Sequence, residues 1–455
     1  MITAFEAGRE ALRWVTDAAV AADGGLTWPE TRAPGAALTD HLYSGTAGVL
    51  AALAEARLSG IADFDDHVSA AAGRLKHLAS VGTWEADWRP AGSREADPFS
   101  ADPFPADSPQ QDSRAASGET DDRPENPDLG LYTGLSGMAV ALRMWASVSG
   151  DDEAASAARA VVAEIGDIAV SGQPLSANRD LLAGDAGILL TLIEIGGATA
   201  RPAVSAIADR IVSEAQWVDG QPDWHLYPSY RMFLPNFSHG AAGIGFALAA
   251  AGAALDRPDL LEIAVLAGER LVRLGSGPDG TLAVPHSIPL ANPDAPVSYG
   301  WCHGPTGTVR LFQLLDRLKP AQGWADHAEA SRRTVRTSGL PARLYPGFWD
   351  NLGQCCGTAG VGEMVLDRYQ ETGDTRWLAW ARVLASDVLD RRIEDEEGIR
   401  WTHTEHRLDP PELEPDLGWM QGAAGIAGWL LRLHRVERDG VTARRIRWPD
   451  RVPID

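Results

Sequence analysis

Gln354-Cys355-Cys356-Gly357-Thr358-Ala359-Gly360 sets two adjacent thiols in front of two glycines three residues apart. The same step follows Gly300-Trp301-Cys302-His303-Gly304, where Gly307 supplies the second glycine. Moving outward along the chain, the step recurs as Tyr43-Ser44-Gly45-Thr46-Ala47-Gly48 and as Tyr132-Thr133-Gly134-Leu135-Ser136-Gly137. It recurs again as Gly184-Asp185-Ala186-Gly187, His239-Gly240-Ala241-Ala242-Gly243 and Gly422-Ala423-Ala424-Gly425. From the second onward, the first glycines are spaced by 50, 56, 64, 53 and 65 residues. One G-x-x-G says nothing. Seven at these intervals are a repeat, and a repeat this long means an array or a closed ring.

An apolar stretch follows each glycine pair, such as Met138-Ala139-Val140-Ala141-Leu142 or Ile426-Ala427-Gly428-Trp429-Leu430-Leu431. These read as buried helices entered through the glycines. Between them lie Ala154 to Val170, Leu260 to Leu274 and Trp377 to Leu389, where apolar residues at i, i+3 and i+4 alternate with charge. That pattern marks half-exposed helices. The fold class expected is all-α, an α/α toroid of seven inner and seven outer helices. The glycines would let backbones approach closely at the inner ring. Trp224 to Phe237, Leu282 to Leu290 and Ile399 to Leu408 mix β-prone residues with flanking prolines and predict small hairpins over one face.

The repeat runs through nearly all 455 residues, so a single domain over 1–455 is expected. The first repeat interval is 89 residues, and the excess falls in 85–128. That segment holds seven prolines, twelve acids and four arginines, too little apolar surface to fold alone, and reads as a flexible acidic insertion. The net charge of −23 argues against nucleic acid or an anionic membrane as partner. The apolar run around Gly243 to Leu255 is too short to span a membrane. Glu6, Arg9, Glu10 and Arg13 make the N-terminus a helical pattern rather than a signal peptide. Three thiols without an export signal predict a reducing cytoplasm.

All three cysteines of the chain lie in two matched repeats. A core-filling role would scatter them. Two soft-ligand clusters at equivalent points suggest a thiolate site for Zn2+ held by Cys302, Cys355 and Cys356. Three protein sulfurs leave the fourth tetrahedral position to a substrate, as catalytic sites do. The site suits activation of an incoming thiol for addition to an activated alkene. The enolate formed needs a proton, and either His239 or His303 is placed beside a repeat glycine to give it. Asp180, four residues before Gly184, would orient an imidazole or hold substrate. His403, Glu405 and His406 are a second cluster, read as a solvated hairpin because a strand would point His406 away from the other two. No phosphate loop or serine-nucleophile elbow is present.

With these motifs the chain resembles the LanC-like lanthionine cyclases, through the seven glycine steps and most sharply through Trp301-Cys302-His303-Gly304 and Cys355-Cys356-Gly357-Thr358-Ala359-Gly360. The resemblance implies an α/α toroid with one zinc that adds cysteine thiols to dehydroalanine or dehydrobutyrine, forming thioether rings in a peptide. It implies Cys302 and Cys355 as zinc ligands. Cys356 stands where many members have histidine, as in a three-cysteine subgroup found among some bifunctional synthetases. His239 matches the histidine implicated in proton transfer and Asp180 an active-site aspartate. Many members have tyrosine where His303 stands, and arginine where Ser298 stands. The implied partners are a dehydrated precursor peptide and a separate dehydratase or kinase. The other expectations are addition of glutathione to dehydrated residues, a non-catalytic zinc-binding scaffold, and a carbohydrate enzyme, for which no carboxylate pair stands out.

Overall fold

A computed structural model describes residues 2–81, 128–227, 229–291, 297–405 and 408–452. Each glycine step opens a helix. The inner helices are α2 (Thr46–Leu58), α4 (Leu135–Ser149), α6 (Asp185–Thr191), α8 (Ala241–Leu255), α10 (Pro305–Leu318), α12 (Thr358–Thr372) and α14 (Ala423–Asp439). The outer helices are α1 (Ala4–Thr16), α3 (Asp65–Val81), α5 (Asp152–Ser171), α7 (Arg201–Ser213), α9 (Pro258–Gly275), α11 (Trp324–Thr337) and α13 (Thr375–Asp390). Inner helices pack in sequence order, and α14 closes on α2. Each inner helix from α2 to α12 takes the next helix in the chain as its outer partner. The last inner helix, α14, takes α1, so the N-terminal helix completes the final repeat and staples the seam. The chain is an α/α toroid, mostly helical with a few small strand pairs.

The first glycine of each pair is the N-cap of its inner helix, with φ between −103° and −144°. Any residue adopts that backbone, so glycine is needed there for space. At the second glycines, from Gly48 to Gly425, an added Cβ would come closer than 3.0 Å to the carbonyl oxygen six residues back. The close approach expected from the sequence is thus made chiefly by each loop's own backbone.

That folded-back loop builds a feature no sequence pattern announces. The residue two before each first glycine donates its N–H to the carbonyl of its counterpart in the next loop. Tyr43 donates to Tyr132 (2.8 Å), Tyr132 to Leu182 (2.9 Å), Leu182 to Ser238 (3.2 Å) and Ser238 to Cys302 (3.0 Å). Cys302 donates to Cys355 (3.2 Å), Cys355 to Met420 (2.9 Å) and Met420 back to Tyr43 (2.9 Å). Seven backbone hydrogen bonds close a circle at the N-terminal mouth of the inner helices.

The strands are short. β1 (Val20–Ala22), β2 (Gly25–Pro29) and β3 (Leu38–Thr39) form an antiparallel sheet. β4 (Gln216–Val218) pairs with β5 (Gln221–Asp223), β6 (Ile393–Asp395) with β7 (Gly398–Arg400), and β8 (His403–Thr404) with β9 (Glu412–Leu413). Of the expected hairpins, 399–408 contains β8. Within 224–237 an antiparallel bridge joins His225 to Phe233, and this stretch also meets 282–290, with Phe233 and Ile288 exchanging backbone hydrogen bonds of 3.0 and 2.9 Å. The proposed insertion lies outside the described residues except for Asp128. That residue is tied into the second loop, its Oδ1 accepting from Gly130 N at 2.8 Å and its backbone oxygen from Leu135 N at 2.9 Å. Asp185–Ser213 is apolar and long enough by composition to cross a membrane. It folds as α6, a π turn (Leu192–Gly196), a 3-10 turn (Gly197–Ala200) and α7, within the toroid.

Candidate metal centre

Cys302 and Cys355 are neighbouring members of the backbone circle, and Cys356 stands one residue further toward the N-cap. The circle therefore brings their sulfurs together. Cys302 Sγ lies 3.2 Å from Cys356 Sγ, which lies 3.4 Å from Cys355 Sγ, and all three fall within 4.8 Å of one another. Cys302 and Cys355 are buried, while Cys356 is partly exposed toward the mouth. Hydrogen bonds from Cys302 and then Cys355 hold the Cys356 thiol well below its ordinary range. Bonding to the other two sulfurs, with burial, pushes Cys302 well above it. For Cys355 the bond to Cys302 favours the ionised form, but the bond to Cys356 and burial prevail and push the thiol well above its ordinary range. Burial and the mutual repulsion of the sulfurs oppose ionising all three together. Ionising them all at this spacing requires a cation between them. Tetrahedral zinc with bonds of ~2.3 Å sets its sulfurs roughly 3.8 Å apart, so opening the cluster by a few tenths of an ångström admits the ion. The donor set fits zinc.

The loop carrying His239 is the next member of the circle. Its imidazole Nδ1 lies 2.6 Å from Asp180 Oδ2, both residues almost wholly buried. Asp180 Oδ1 accepts from Ala183 N at 3.0 Å, so the carboxylate shapes its own loop and orients the imidazole at once. A carboxylate on Nδ1 keeps the proton there and leaves Nε2 for proton exchange. The His303 ring lies 5.3 Å from that of His239 and stacks at 3.9 Å on His286. Every site residue expected from the sequence thus belongs to one constellation at the mouth.

Three further residues join it. His286 comes from the stretch 282–290, which is anchored where Asn236 Nδ2 donates to Pro285 O at 2.9 Å. It lies outside the repeat phase, so no sequence signal marks it. His403, on β8, is partly buried, and burial lowers its pKa while the Cys356 charge acts against that. The reading of a solvated hairpin is corrected here: the hairpin forms, but at the edge of the thiols. His406 lies outside the described residues. Tyr43 holds the same place in the first loop as Cys302 and Cys355 in theirs. Its phenol is pushed well above its ordinary range by burial and then by the three cysteine sulfurs. Its place in the glycine phase is the one sequence signal it carries.

A profile of the lanthionine synthetase C-like protein family matches residues 111–443. Among solved structures, a nisin cyclase is similar at 13% identity over 87% of this chain and 88% of its own, with a TM-score of 0.55. That likeness is one of fold. A GH76 α-mannanase from Bacteroides thetaiotaomicron is similar at 10% identity over 96% and 97%, with a TM-score of 0.48. An unsaturated glucuronyl hydrolase from Bacillus sp. GL1 is similar at 15% identity over 67% and 86%, with a TM-score of 0.44. No curated protein sequence matches this one.

Proposed function

We propose, from the premise that this chain belongs to the lanthionine synthetase C-like family, that it adds peptide cysteine thiols to dehydroalanine or dehydrobutyrine and so forms thioether rings. One observation carries the reading: three cysteine sulfurs from adjacent loops converge beside a buried histidine–aspartate pair. Zinc held by Cys302, Cys355 and Cys356 would supply a fourth position at which an incoming thiol gives up its proton. The chain's own residues then handle the carbon side. As sulfur bonds to Cβ of the dehydrated residue, the alkene electron pair moves to Cα and the neighbouring carbonyl. Asp180 fixes the His239 ring and balances the charge of its protonated form. His239 Nε2 delivers a proton to Cα, so the net change is addition of S–H across the double bond. His303, between His239 and His286, is the other candidate donor. Dehydration of the peptide is assigned to a separate enzyme.

The test uses the purified protein and a dehydrated peptide that retains one cysteine. Elemental analysis should give one zinc per chain. Mass spectrometry should show the peptide losing its capacity for thiol alkylation at unchanged mass. A zinc-loaded protein that leaves the peptide thiol free but consumes glutathione would move the reading to small-thiol addition.

A further inference from the structure

The proposed reaction leaves Tyr43 at the thiols unused. Tyr43 is 9% exposed, and its backbone oxygen accepts from Met420 N at 2.9 Å. Met420 in turn accepts from Cys355 N at 2.9 Å, so Tyr43 and Cys355 flank the same ring member. Gln421 Nε2 donates to the Tyr43 hydroxyl oxygen at 3.0 Å. An oxygen that accepts on that side directs its own proton elsewhere, and a phenol keeps that proton at neutral pH. Of the two thiols that are members of the circle, Cys355 is the nearer to Tyr43, with Met420 alone between them. Tyr132 shows what a phenol does at this place in the circle: one loop on, its hydroxyl donates to Asp450 Oδ2 at 3.1 Å, well buried.

We infer that Tyr43 is a positioning residue for the metal centre, its hydroxyl donating a hydrogen bond to the Cys355 sulfur while Gln421 fixes its direction. The inference rests on the zinc reading above. A donor on a ligand sulfur fixes the direction of its lone pairs and draws off part of its charge, as outer-shell partners of metal ligands do. Here the partner comes from the first repeat, across the seam of the toroid, so folding of the seam and assembly of the site become one event.

The experiment compares full-length Tyr43→Phe, Gln421→Leu and Tyr132→Phe with the parent. Zinc affinity is read by chelator competition, and the cobalt-substituted proteins give the sulfur-to-metal absorption band. Tyr43→Phe should weaken zinc binding by about 10- to 100-fold and move the band to longer wavelength, because the sulfur regains charge. Gln421→Leu should shift both in the same direction by less, and it carries the test if Tyr43→Phe does not fold. Tyr132→Phe should match the parent in both. A folded Tyr43→Phe, or in its absence Gln421→Leu, with parental affinity and band overturns the inference and leaves the metal reading standing. A parent that takes up neither zinc nor cobalt overturns both.

Discussion

His239 and His303 occupy the same place in adjacent loops, one residue beyond the backbone circle, yet they differ in support. His239 has Asp180 on Nδ1 at 2.6 Å, whereas His303 lies flat against a second imidazole, that of His286. The supported ring is the better placed proton donor, because the carboxylate fixes its orientation. His239→Asn should therefore slow thioether formation by about 10²- to 10⁴-fold while zinc content stays at one per chain. His303→Phe should cost less and should keep the stack with His286. Steady-state rates with parallel zinc analysis check both; equal rates for parent and His239→Asn would remove that residue from the proton-transfer role. At this scale the sequence was informative wherever chemistry coincided with repeat phase, as for Cys302, Cys355, Cys356, His239 and Asp180. It was silent for His286 and set His403 aside in a solvated hairpin; both reach the mouth from connecting segments whose path depends on tertiary packing. Tyr43 was in phase, but a tyrosine ahead of an apolar helix is ordinary core until a thiol is seen beside it.

The inner helices and their entry loops make up one element, and the glycines are where the two meet. Gly360 is the third residue past its N-cap, and an added Cβ would run into the Gln354 backbone carbonyl, which cannot swing away like a flexible side chain. Gly360→Ala should therefore destabilise the fold by about 1–3 kcal/mol through overpacking, and it should also loosen the loop that holds Cys355 and Cys356. Gly166, inside outer helix α5, gives the contrast. Its added Cβ would meet only Ala203 Cβ at 3.7 Å, an ordinary contact. Gly166→Ala should stabilise by up to ~1 kcal/mol, the intrinsic helix preference of alanine. Urea midpoints of the two variants should move in opposite directions; movement in the same direction would show that the loop can yield at Gly360. Helices were the legible elements because burial follows a 3.6-residue period and the glycines mark their starts. The outer helices expected at 154–170, 260–274 and 377–389 all lie within observed ones. Hairpins were less legible, since pairing between 224–237 and 282–290 joins segments that no local signal connects.

A closed ring of repeats differs from an open stack in having a seam, and here first and last repeats must recognise each other. The N-terminal helix α1 covers α14, and beneath it Arg435 on α14 reaches α2. Its Nη2 lies 2.5 Å from Glu55 Oε2 and its Nη1 2.7 Å from Ser59 Oγ, with both charged side chains almost fully buried. The glycine repeat predicted the ring, but neither this pair nor the use of α1 as the seventh outer helix, because both depend on contacts 380 residues or more apart in the chain for the ion pair. A buried ion pair is costly to break from one side, since the remaining charge stays in the interior without its partner. Arg435→Met should lower stability by about 3–5 kcal/mol. The double variant Glu55→Leu/Arg435→Met should recover much of that loss, because no lone charge is left behind. The exposed pair Arg382–Glu437, at 2.6 Å between α13 and α14, supplies the comparison. Arg382→Ala should change stability by no more than ~1 kcal/mol. All four proteins can be ranked by urea unfolding followed through tryptophan emission. If Arg435→Met unfolds at the same midpoint as Arg382→Ala, the seam is held by the apolar face of α1 on α14, and the ion pair only sets its register. If Arg435→Met is weakened as expected, zinc retention should fall with it, since Tyr43 and the thiols it adjoins stand on opposite sides of that seam.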